Sequence, residues 1–387
     1  MSLFPESQDI TKDITESVRG WAWRNLMPGA DDRDETCTFD LSLYRRLDSE
    51  LGLMNTTLPE SLLGADLDIT APIAAIEAMS ECDPAIALSF LSQELLFSHQ
   101  LYHTWKALGQ PLPKRHADIL RQKRISGMAM TEPNAGTDVL GMSTTATQTD
   151  SGFVLNGTKQ WITNATVGDV FLVYARTGEQ RRDISLFLVE TRAEGVSRLP
   201  CDKKMGMRSS PTGILTFSHV ALPKDALVGT LHEGLRPMLR NLAVERLALA
   251  AQSCGIAKTC LNTMRDYARQ RHAFEHKIAD FGQIQKFLAE SYAQYRAMRT
   301  MLYETVAETI QSAPQASLNA DATKIFCAKG AEDIARSAIQ VLGANGYSHA
   351  YPVSRLYRDA VLLSIGGGTN EALQKNISRL LMTDSRL

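Results

Sequence analysis

The sequence has no surplus of either charge. Its 387 residues contain 41 lysines and arginines and 43 aspartates and glutamates, which gives a formal net charge of −2 at pH 7. A protein that binds a nucleic-acid backbone needs excess positive charge to neutralise the phosphates. We therefore expect no nucleic-acid partner.

Long apolar runs are also missing. The longest uncharged apolar stretches, such as residues 170–175, fall far short of the roughly 20 residues that span a bilayer, and residues 242–251 are interrupted by Glu245 and Arg246. The first twenty residues carry acidic groups early, and they lack both an apolar signal core and the arginine-rich character of a transit peptide. We expect no membrane span and a cytoplasmic location.

Cysteine and histidine show no metal-binding or disulfide spacing. The six cysteines contain no CxxC pair and no dense pattern, which favours reduced and mostly buried thiols. His99 and His103 lie four residues apart on a predicted helix, but no further ligand lies nearby in the sequence. A core or pocket-lining role is the preferred interpretation of both, and we expect no metal.

The composition is that of a globular protein with a sizeable core, at 44% hydrophobic and 22% charged residues. Apolar residues at three-and-four spacing, divided by prolines and glycines, predict an α-helical domain over residues 1–124. Long helical patterns return at residues 238–270, 281–311 and 322–342, each long enough for a helix bundle, so we assign residues 236–387 to a C-terminal helical domain.

Residues 125–235 have a different texture. Short β-type runs (ISGMAM, GFVLNG, WIT, VFLVYA, ISLFLVE and ILTFSHVAL) alternate with turns rich in Gly, Asn, Asp and Thr. Strands that alternate with turns rather than with helices predict a compact antiparallel β domain. The fold class is therefore α+β, in the order helical, β, helical bundle.

Several motifs in order resemble one family. They are AMTEPNAGTD at residues 129–138, WITN at 161–164, RHAF at 271–274, QIQ at 283–285, QVLGANGY at 340–347 and YPVSRLYRD at 351–359. This set, at this spacing, resembles the acyl-CoA dehydrogenase family. The resemblance implies an N-terminal helical domain, a middle β domain and a C-terminal four-helix bundle, and it covers the chain from about residue 51 to its C-terminal part. Two departures are Ala350 and Ala243, the second of which replaces an aspartate that contacts the thioester arm in the family.

The resemblance also implies bound FAD. Thr131, Thr163 and the backbone around Met130 and Trp161 would bond to the flavin ring, with Trp161 lying against it; the alternative is a β-core tryptophan beside a turn threonine. The family takes its adenosine contacts from a neighbouring subunit, so a homotetramer, or at least a dimer, is implied. The matching positions here are Arg271, Phe274, Gln283, Gln340, Gly343, Thr369 and Glu371. For Arg271 the alternative is an ordinary solvated cation at a helix end.

The proposed chemistry requires a base for the weakly acidic α-proton of an acyl thioester. One branch of the family places a glutamate just before a Gly-Thr pair, but here that position is Gly367. The other branch, which includes isovaleryl-CoA dehydrogenases, places the base on a helix, where this chain has Glu245 between Leu242 and Leu249. The residues four positions away, Asn241 and Leu249, cannot form an ion pair with it. We predict Glu245 as the base, with Glu371 as the alternative.

The expected reaction is α,β-dehydrogenation of an acyl thioester, either acyl-CoA or an acyl or peptidyl carrier protein. Electrons would pass to an acceptor such as electron-transfer flavoprotein or oxygen. Thr137, Arg246, Gly367 and Gly368 are the predicted substrate contacts by resemblance. Polar residues on the helix that by resemblance lines the acyl pocket favour a short, branched or polar acyl group: Ser89, Ser92, Gln93, Glu94, Ser98, His99 and His103. A flavin oxidase, another thioester-processing enzyme, or a non-catalytic flavin-binding protein on the same fold remain alternatives.

Overall fold

The computed structural model describes residues 5–383, with side chains from residue 12 onward. The elements follow the order helices, sheet, helices. The change from helices to strands falls between Arg121 and Ser126, and the return to helices falls between Val228 and Leu235.

The N-terminal helices pack around two apolar segments. They are α1 (Pro5–Asn25), α2 (Ala30–Thr36), α3 (Leu41–Leu51), α4 (Thr70–Ser80), α5 (Pro84–Gln93), α6 (Gln100–Ala107) and α7 (Lys114–Arg121). Asp83 starts α5 by accepting hydrogen bonds from the amides of Ala85 and Ile86, at 3.1 and 3.2 Å. The next residue, Pro84, occupies a first-turn position where its missing N–H costs nothing.

Helices α4 and α5 are apolar on nearly all sides, so they form the centre of the molecule rather than its surface. A π-helical turn (Glu94–His99) joins α5 to α6 without a break. Turns of this kind are rare and often occur at functional sites. Periodicity in the sequence did not indicate it.

The middle domain is one twisted sheet. Its strands are β1 (Ser126–Ala129), β2 (Thr145–Gln148), β3 (Gly152–Ile162), β4 (Val170–Arg176), β5 (Ile184–Glu190), β6 (Val196–Pro200), β7 (Gly213–Pro223) and β8 (Leu227–Val228). They are ordered β6-β7-β3-β2-β4-β5-β8, with β1 paired to β4 off this path. Most pairs are antiparallel, as expected, but β1 runs parallel to β4 and β2 meets β4 in parallel at Thr145 and Arg176.

The sheet differs from the sequence prediction in two further places. The WIT run is not a separate strand, because β3 continues from Gly152 to Ile162 and ends there. Strands β2, β6 and β8 were not predicted. The first two are short and carry exposed polar residues, so they lack the alternation that reveals a half-buried strand, and β8 has only two residues.

The C-terminal domain is a helical bundle. Its main elements are α8 (Leu235–Gln270), α9 (Gly282–Ile310), α10 (Ala316–Leu342), α11 (Ala344–Tyr347), α12 (Val353–Leu363) and α13 (Asn370–Thr383), and a small hairpin of β9 (His272–Ala273) and β10 (His276–Lys277) follows α8. Helix α10 packs against α8, α9, α12 and α13. Helix α8 begins one turn earlier than predicted, since Pro237 is tolerated in the first turn.

The three parts share their cores. One apolar cluster joins α4 and α5 to the buried faces of α8 and α10, a second lies between the sheet and α6 and α7, and a third covers the other face of the sheet. Helix α8 therefore contacts both the N-terminal helices and the bundle. Side chains on its N-terminal half lie where all three domains meet.

The cysteines are mostly buried, as expected from the sequence. Cys82, Cys254, Cys260 and Cys327 are buried and free, whereas Cys201 is half-buried and Cys37 is exposed. Within residues 5–383, no helix is long and apolar enough to cross a membrane.

A buried ion pair fixes the loop between β1 and β2. Lys159 Nζ donates to Glu132 Oε1 at 2.8 Å, and both side chains are at most 2% exposed. Glu132 also accepts from the amides of Ser143 and Thr144, at 2.6 and 2.9 Å. Burial alone would raise the pKa of Glu132, but the Lys159 charge and these hydrogen bonds lower it to about 2. The carboxylate is fully ionised and satisfied.

Replacing Lys159 by Met is expected to lower the free energy of unfolding by about 3–5 kcal/mol, because Glu132 would stay buried without its cation. Urea unfolding followed by circular dichroism measures this change. Removing Glu132 as well, in Lys159→Met/Glu132→Leu, should recover part of the loss. Arg181→Met is the matched control, since the Arg181–Asp138 pair is 63% and 70% exposed. Equal destabilisation by Lys159→Met and Arg181→Met would contradict the assignment.

Candidate active site

Glu245 lies on α8 close to two buried leucines, Leu242 and Leu249. The residue as a whole is half-buried, but its Oε2 is buried and finds no hydrogen-bond partner among the residues that the structure describes. Burial raises the pKa of Glu245 to about 7, against the lowering effect of Arg246 and Lys324. This raised pKa makes the carboxylate a stronger base than that of an exposed glutamate, and the group still ionises near neutral pH.

A glycine turn, residues 366–368, lies against Glu245. Gly367 and Gly368 have φ values of 63° and 92°, in the left-handed region that favours glycine. A Cβ atom on Gly367 would lie 2.8 Å from Leu249 Cδ1 and 3.7 Å from Glu245 Cγ. Positions 245 and 367 therefore open onto the same space. The two alternative base positions named from the family are neighbours in this fold.

Arg246 holds this turn. Its Nε donates to Gly367 O at 3.1 Å, and its Nη1 donates to Asp321 Oδ1 at 2.5 Å. The residue is 8% exposed. Arg246 was expected to contact substrate, but two of its nitrogens are used within the protein. Arg246 therefore fixes the glycine turn, with Asp321 as its counter-charge, and its contact with substrate stays a prediction.

Lys324 holds the same turn from α10, and sequence reasoning missed it. Its Nζ donates to Gly368 O at 2.8 Å and to Asn370 Oδ1 at 3.0 Å. The side chain is fully buried, and burial lowers the pKa of Lys324 to about 8. A signal was available: Lys324 lies three and four positions before the buried Cys327 and Ala328, on the apolar face of α10.

The residues predicted to hold a flavin ring are brought together. Lys159 Nζ donates to Met130 O at 2.9 Å, and the amide of Gln160 donates to Thr131 O at 2.9 Å. The segment after β1 therefore lies beside the end of β3. Trp161 follows with a φ of 61° and a ring that is 51% exposed. Left-handed backbone at a bulky residue is strained, and such strain clusters at functional sites.

Thr163 lies on the same edge of the sheet. Its carbonyl oxygen would be 2.9 Å from a Cβ on Gly127, so only glycine allows this close approach of β1. Asn164 fixes the end of the turn by donating to Ser126 O at 2.8 Å and to Ser89 O at 3.1 Å. One asparagine thus ties the sheet to α5.

The predicted contacts around α13 divide into two groups. Thr369 is half-buried, and its Oγ1 accepts from the amide of Ala372 at 3.3 Å, which caps the first turn of α13. It lies beside the glycine turn. Glu371, the alternative base, is exposed, and so is Thr137 on the loop before β2. The structure therefore does not place Glu371 in the buried pocket that surrounds Glu245.

The remaining cofactor candidates lie at the other end of α8. Arg271 and Gly343 line a cavity of about 300 Å³. Gln283 and Gln340 are exposed, and Phe274 is 88% exposed, which is unusual for a phenylalanine. The other residues around the cavity are Tyr267, Ile278, Val341, Leu342, Ala344 and Asn345. In one chain these residues do not meet the flavin-ring set.

Two polar residues expected to line the acyl pocket have partners elsewhere. Gln93 Oε1 accepts from the Tyr44 hydroxyl at 2.9 Å. Glu94 accepts from the Asn55 amide at 2.7 Å and from Thr56 Oγ1 at 2.6 Å. Burial raises the pKa of Glu94 to about 7 despite these hydrogen bonds. Both side chains stabilise the N-terminal domain, so their polarity says nothing about the acyl group.

The two histidines behave in a similar way. His99 Nδ1 lies 3.1 Å from Thr57 Oγ1, and the imidazole rings of His99 and His103 stack with centroids 4.0 Å apart. Burial lowers the pKa of His99 well below its ordinary value and that of His103 to about 4. Both are neutral near pH 7. No group of three or more His, Cys, Asp or Glu side chains within the described part of the chain is arranged to hold a metal ion.

A buried polar chain next to Glu245 was also missed. Asn241 Nδ2 donates to Gln100 Oε1 at 3.2 Å, and Gln100 Nε2 donates to the hydroxyl of Tyr174. Asn241 Oδ1 is buried and has no partner within residues 5–383. Burial raises the pKa of Tyr174, and the charge of Glu245 raises it further. Asn241 lies one turn before Glu245, so two buried oxygens without partners occupy adjacent turns of α8.

Comparison with known proteins agrees with this geometry. Three family models match consecutive parts of the chain: the N-terminal domain of acyl-CoA dehydrogenase at residues 8–104, its middle domain at 127–220 and its C-terminal domain at 232–382. They confirm the predicted order of a helical, a β and a helical domain.

Two curated relatives and one solved structure extend the match over nearly the whole chain. The chain is 34% identical over 379 residues to the mitochondrial 2-methylacyl-CoA dehydrogenase of Solanum tuberosum, covering 96% of this chain and 90% of that protein. It is 33% identical to the mitochondrial isovaleryl-CoA dehydrogenase of Arabidopsis thaliana, covering 97% and 92%. The butyryl-CoA dehydrogenase of Megasphaera elsdenii superposes with a TM-score of 0.92 at 28% identity, covering 99% and 100%. The chain therefore belongs to the acyl-CoA dehydrogenase family of flavoprotein oxidoreductases.

Proposed function

We propose that this protein catalyses the FAD-dependent α,β-dehydrogenation of an acyl thioester, with Glu245 as the base that removes the α-proton. The proposal is carried by one observation, the buried and unpartnered Oε2 of Glu245 beside the glycine turn. A carboxylate kept dry and unpaired costs folding free energy. Proton transfer from a bound substrate is a functional reason for that cost.

The residues around Glu245 supply what proton abstraction needs. Leu242 and Leu249 exclude water on either side of the carboxylate. Gly367 has no side chain that could cover the carboxylate, so the turn packs closely against Leu249 and Glu245. FAD, when bound, would accept the hydride that leaves the β carbon.

The chain offers a suitable surface for the flavin ring. Trp161 presents a half-exposed aromatic ring at the end of β3, which can lie against a flat heterocycle. The half-buried hydroxyls of Thr131 and Thr163, with the backbone of Met130, supply hydrogen bonds beside it. Lys159 and Asn164 fix these segments from behind.

We assign the adenosine and pyrophosphate contacts to a second copy of the chain. Arg271 follows the last residue of α8 and lies roughly 39 Å from Glu245, at 1.5 Å per helical residue. One dinucleotide does not extend between them within a single chain. The exposed Phe274, Gln283 and Gln340 are explained if a neighbouring molecule covers them. A homotetramer, or at least a dimer, is the proposed assembly.

We propose a short, branched acyl group as substrate. The named relatives that act on 2-methylacyl-CoA and isovaleryl-CoA support this size. The chain of Asn241, Gln100 and Tyr174 supports it as well, because a long alkyl tail packed on the unpartnered Asn241 Oδ1 would leave that atom dry. Coenzyme A and a carrier protein are both considered as the thioester carrier. Electron-transfer flavoprotein or oxygen is the proposed acceptor.

The purified protein is expected to be yellow, with about one FAD per chain, because Trp161, Thr131 and Thr163 together offer a surface for the flavin ring. Anaerobic mixing with butyryl, isovaleryl, 2-methylbutyryl and octanoyl thioesters, each on coenzyme A and on a carrier protein, should bleach the flavin fastest with the branched acyl groups. A colourless protein that takes up no FAD would refute the proposed function. Fastest bleaching by octanoyl-CoA would refute only the acyl-group assignment.

Replacing Glu245 by Gln should slow flavin reduction by at least about 100-fold, the usual scale for loss of a general base, while FAD content stays unchanged. The rate in the parent protein should rise with pH through about 7, because the base must be ionised to accept the α-proton and its pKa is raised to about 7. That rise should be absent in Glu245→Gln. Stopped-flow absorbance measures both.

Glu371→Gln is the matched control, because Glu371 is an exposed glutamate at the start of α13. It should reduce its flavin at the parent rate and keep the same pH dependence. Normal reduction in Glu245→Gln together with a loss in Glu371→Gln would show that the base is misassigned.

Arg271→Ala should weaken FAD binding by about tenfold or more, the effect of losing one hydrogen bond to a charged group. Arg269→Ala, at a neighbouring exposed arginine, should not. Co-expressing Arg271→Ala chains with Glu245→Gln chains should restore activity, because some sites then combine Glu245 from one chain with Arg271 from the other. No recovery, or an FAD-loaded monomer in light scattering, would contradict the shared site.

A further inference from the structure

Lys324 is a buried cation that the chemistry described so far does not use. It lies on α10, which carries no other residue of the predicted site apart from Gln340 near the far end of the helix. Its side chain is fully buried. Burying a lysine is costly unless its charge and its three donors are compensated.

Its hydrogen bonds converge on one feature, the glycine turn. Nζ donates to Gly368 O at 2.8 Å and to Asn370 Oδ1 at 3.0 Å, at the first residue of α13. Arg246 binds the preceding carbonyl, Gly367 O, from the opposite helix at 3.1 Å. The turn is thus held from two helices, and the side-chain-free face of Gly367 is kept against Glu245.

Its charge is balanced differently from that of Arg246. Arg246 has an ion-pair partner in Asp321 at 2.5 Å. Within the described residues, Lys324 forms no ion pair with a carboxylate. The charged groups that face it are Glu245 and Arg246 from α8, Asp321 from α10 and Glu371 from α13.

Of these four groups, Glu245 is the one unpaired and buried carboxylate that can balance the charge of Lys324. Asp321 is paired with Arg246. Glu371 is exposed, so water and salt screen its charge. Glu245 has no hydrogen bond to its buried oxygen, and the low dielectric around it strengthens attraction to a nearby cation. Lys324 is therefore, together with Arg246, a cation that compensates the charge of Glu245.

We propose that Lys324 is a positioning residue for the dehydrogenation: it holds the glycine turn against Glu245, and its charge favours the ionised form of that carboxylate. The inference rests on the proposed function, because it assigns a partner to the proposed base. Two pKa directions agree with it. Lys324 lowers the pKa of Glu245 against the effect of burial, and Glu245 raises that of Lys324.

Lys324→Gln and Lys324→Met separate the two roles, since glutamine keeps a donor without the charge and methionine keeps neither. In both variants the acidic limb of flavin reduction should move upward by about 1–2 pH units, the usual effect of one nearby opposite charge. At pH 7 the rate should fall by about tenfold or more, and it should recover at higher pH. Hydrogen exchange at residues 364–370 should be faster in Lys324→Met than in Lys324→Gln.

Lys329→Gln is the control, because this lysine lies on the same helix with its side chain 71% exposed. It should change neither measurement. An unshifted acidic limb in both Lys324 variants would overturn the electrostatic role, and unchanged exchange in Lys324→Met would overturn the holding role.

A second readout does not need activity. Infrared titration of the protonated Glu245 carboxyl, identified by its absence in Glu245→Gln, should show the same upward shift in Lys324→Gln. If no thioester bleaches the flavin of the parent protein, the proposed function fails, but this titration still decides on Lys324. An unshifted carboxyl band would refute the electrostatic role directly.

Discussion

The site depends on keeping one carboxylate dry but chargeable. Burial alone makes Glu245 basic, yet full burial without compensation would leave it protonated and unable to accept a proton. The arrangement around it resolves this conflict. Gly367 adds no side chain of its own beside Glu245, and the cations of Arg246 and Lys324 lie near without forming a hydrogen bond to its buried oxygen. A direct ion pair would hold the carboxylate away from substrate and lower its basicity.

Two lysines among the described residues, Lys159 and Lys324, are fully buried, and their different hydrogen-bond partners give them different roles. Lys159 binds Glu132 directly, and the carboxylate receives further hydrogen bonds from backbone amides. That pair is satisfied, so it fixes the loop behind the flavin surface. Lys324 donates to a backbone carbonyl oxygen and a side-chain amide oxygen, neither of which carries a charge. Its positive charge therefore acts on Glu245 without a direct ion pair. Similar residues thus have different roles because one has a matched counter-ion in contact with it.

Much of the fold could be predicted from the sequence, because long helices and apolar strands leave strong periodic patterns. Helices α8, α9 and α10 lie where their patterns placed them, within a few residues. Strands β2 and β6 were not predicted, because exposed polar strands lack the alternation of apolar and polar residues that marks a half-buried strand. The polarity of Gln93 and Glu94 was misinterpreted, because their partners, Tyr44 and the Asn55 amide, lie about 40 to 50 residues away.

The sequence predicted the residue to which the proposed reaction assigns a role of its own, but not the residues that act through contacts with other parts of the chain. Glu245 was identified because it matches the helix-borne base of one family branch and lies between leucines, although its catalytic role stays a prediction. Lys324, Asp321 and Asn241 were missed for a physical reason. Each acts through a contact between different helices or between a helix and a turn, and helical spacing within one segment does not reveal such contacts. The bonds of Arg246 to Gly367 and Asp321 were not predicted for the same reason.

The glycine at position 367 also restricts how this protein could change over generations. Moving the base from α8 to the turn would require a side chain at a φ of 63°, where only glycine is relaxed, and its first carbon would displace Leu249. A glutamate added while Glu245 remains would place two acids in one dry space, where they could not both be ionised. In this chain, the base on α8 and the glycine at position 367 are therefore interdependent.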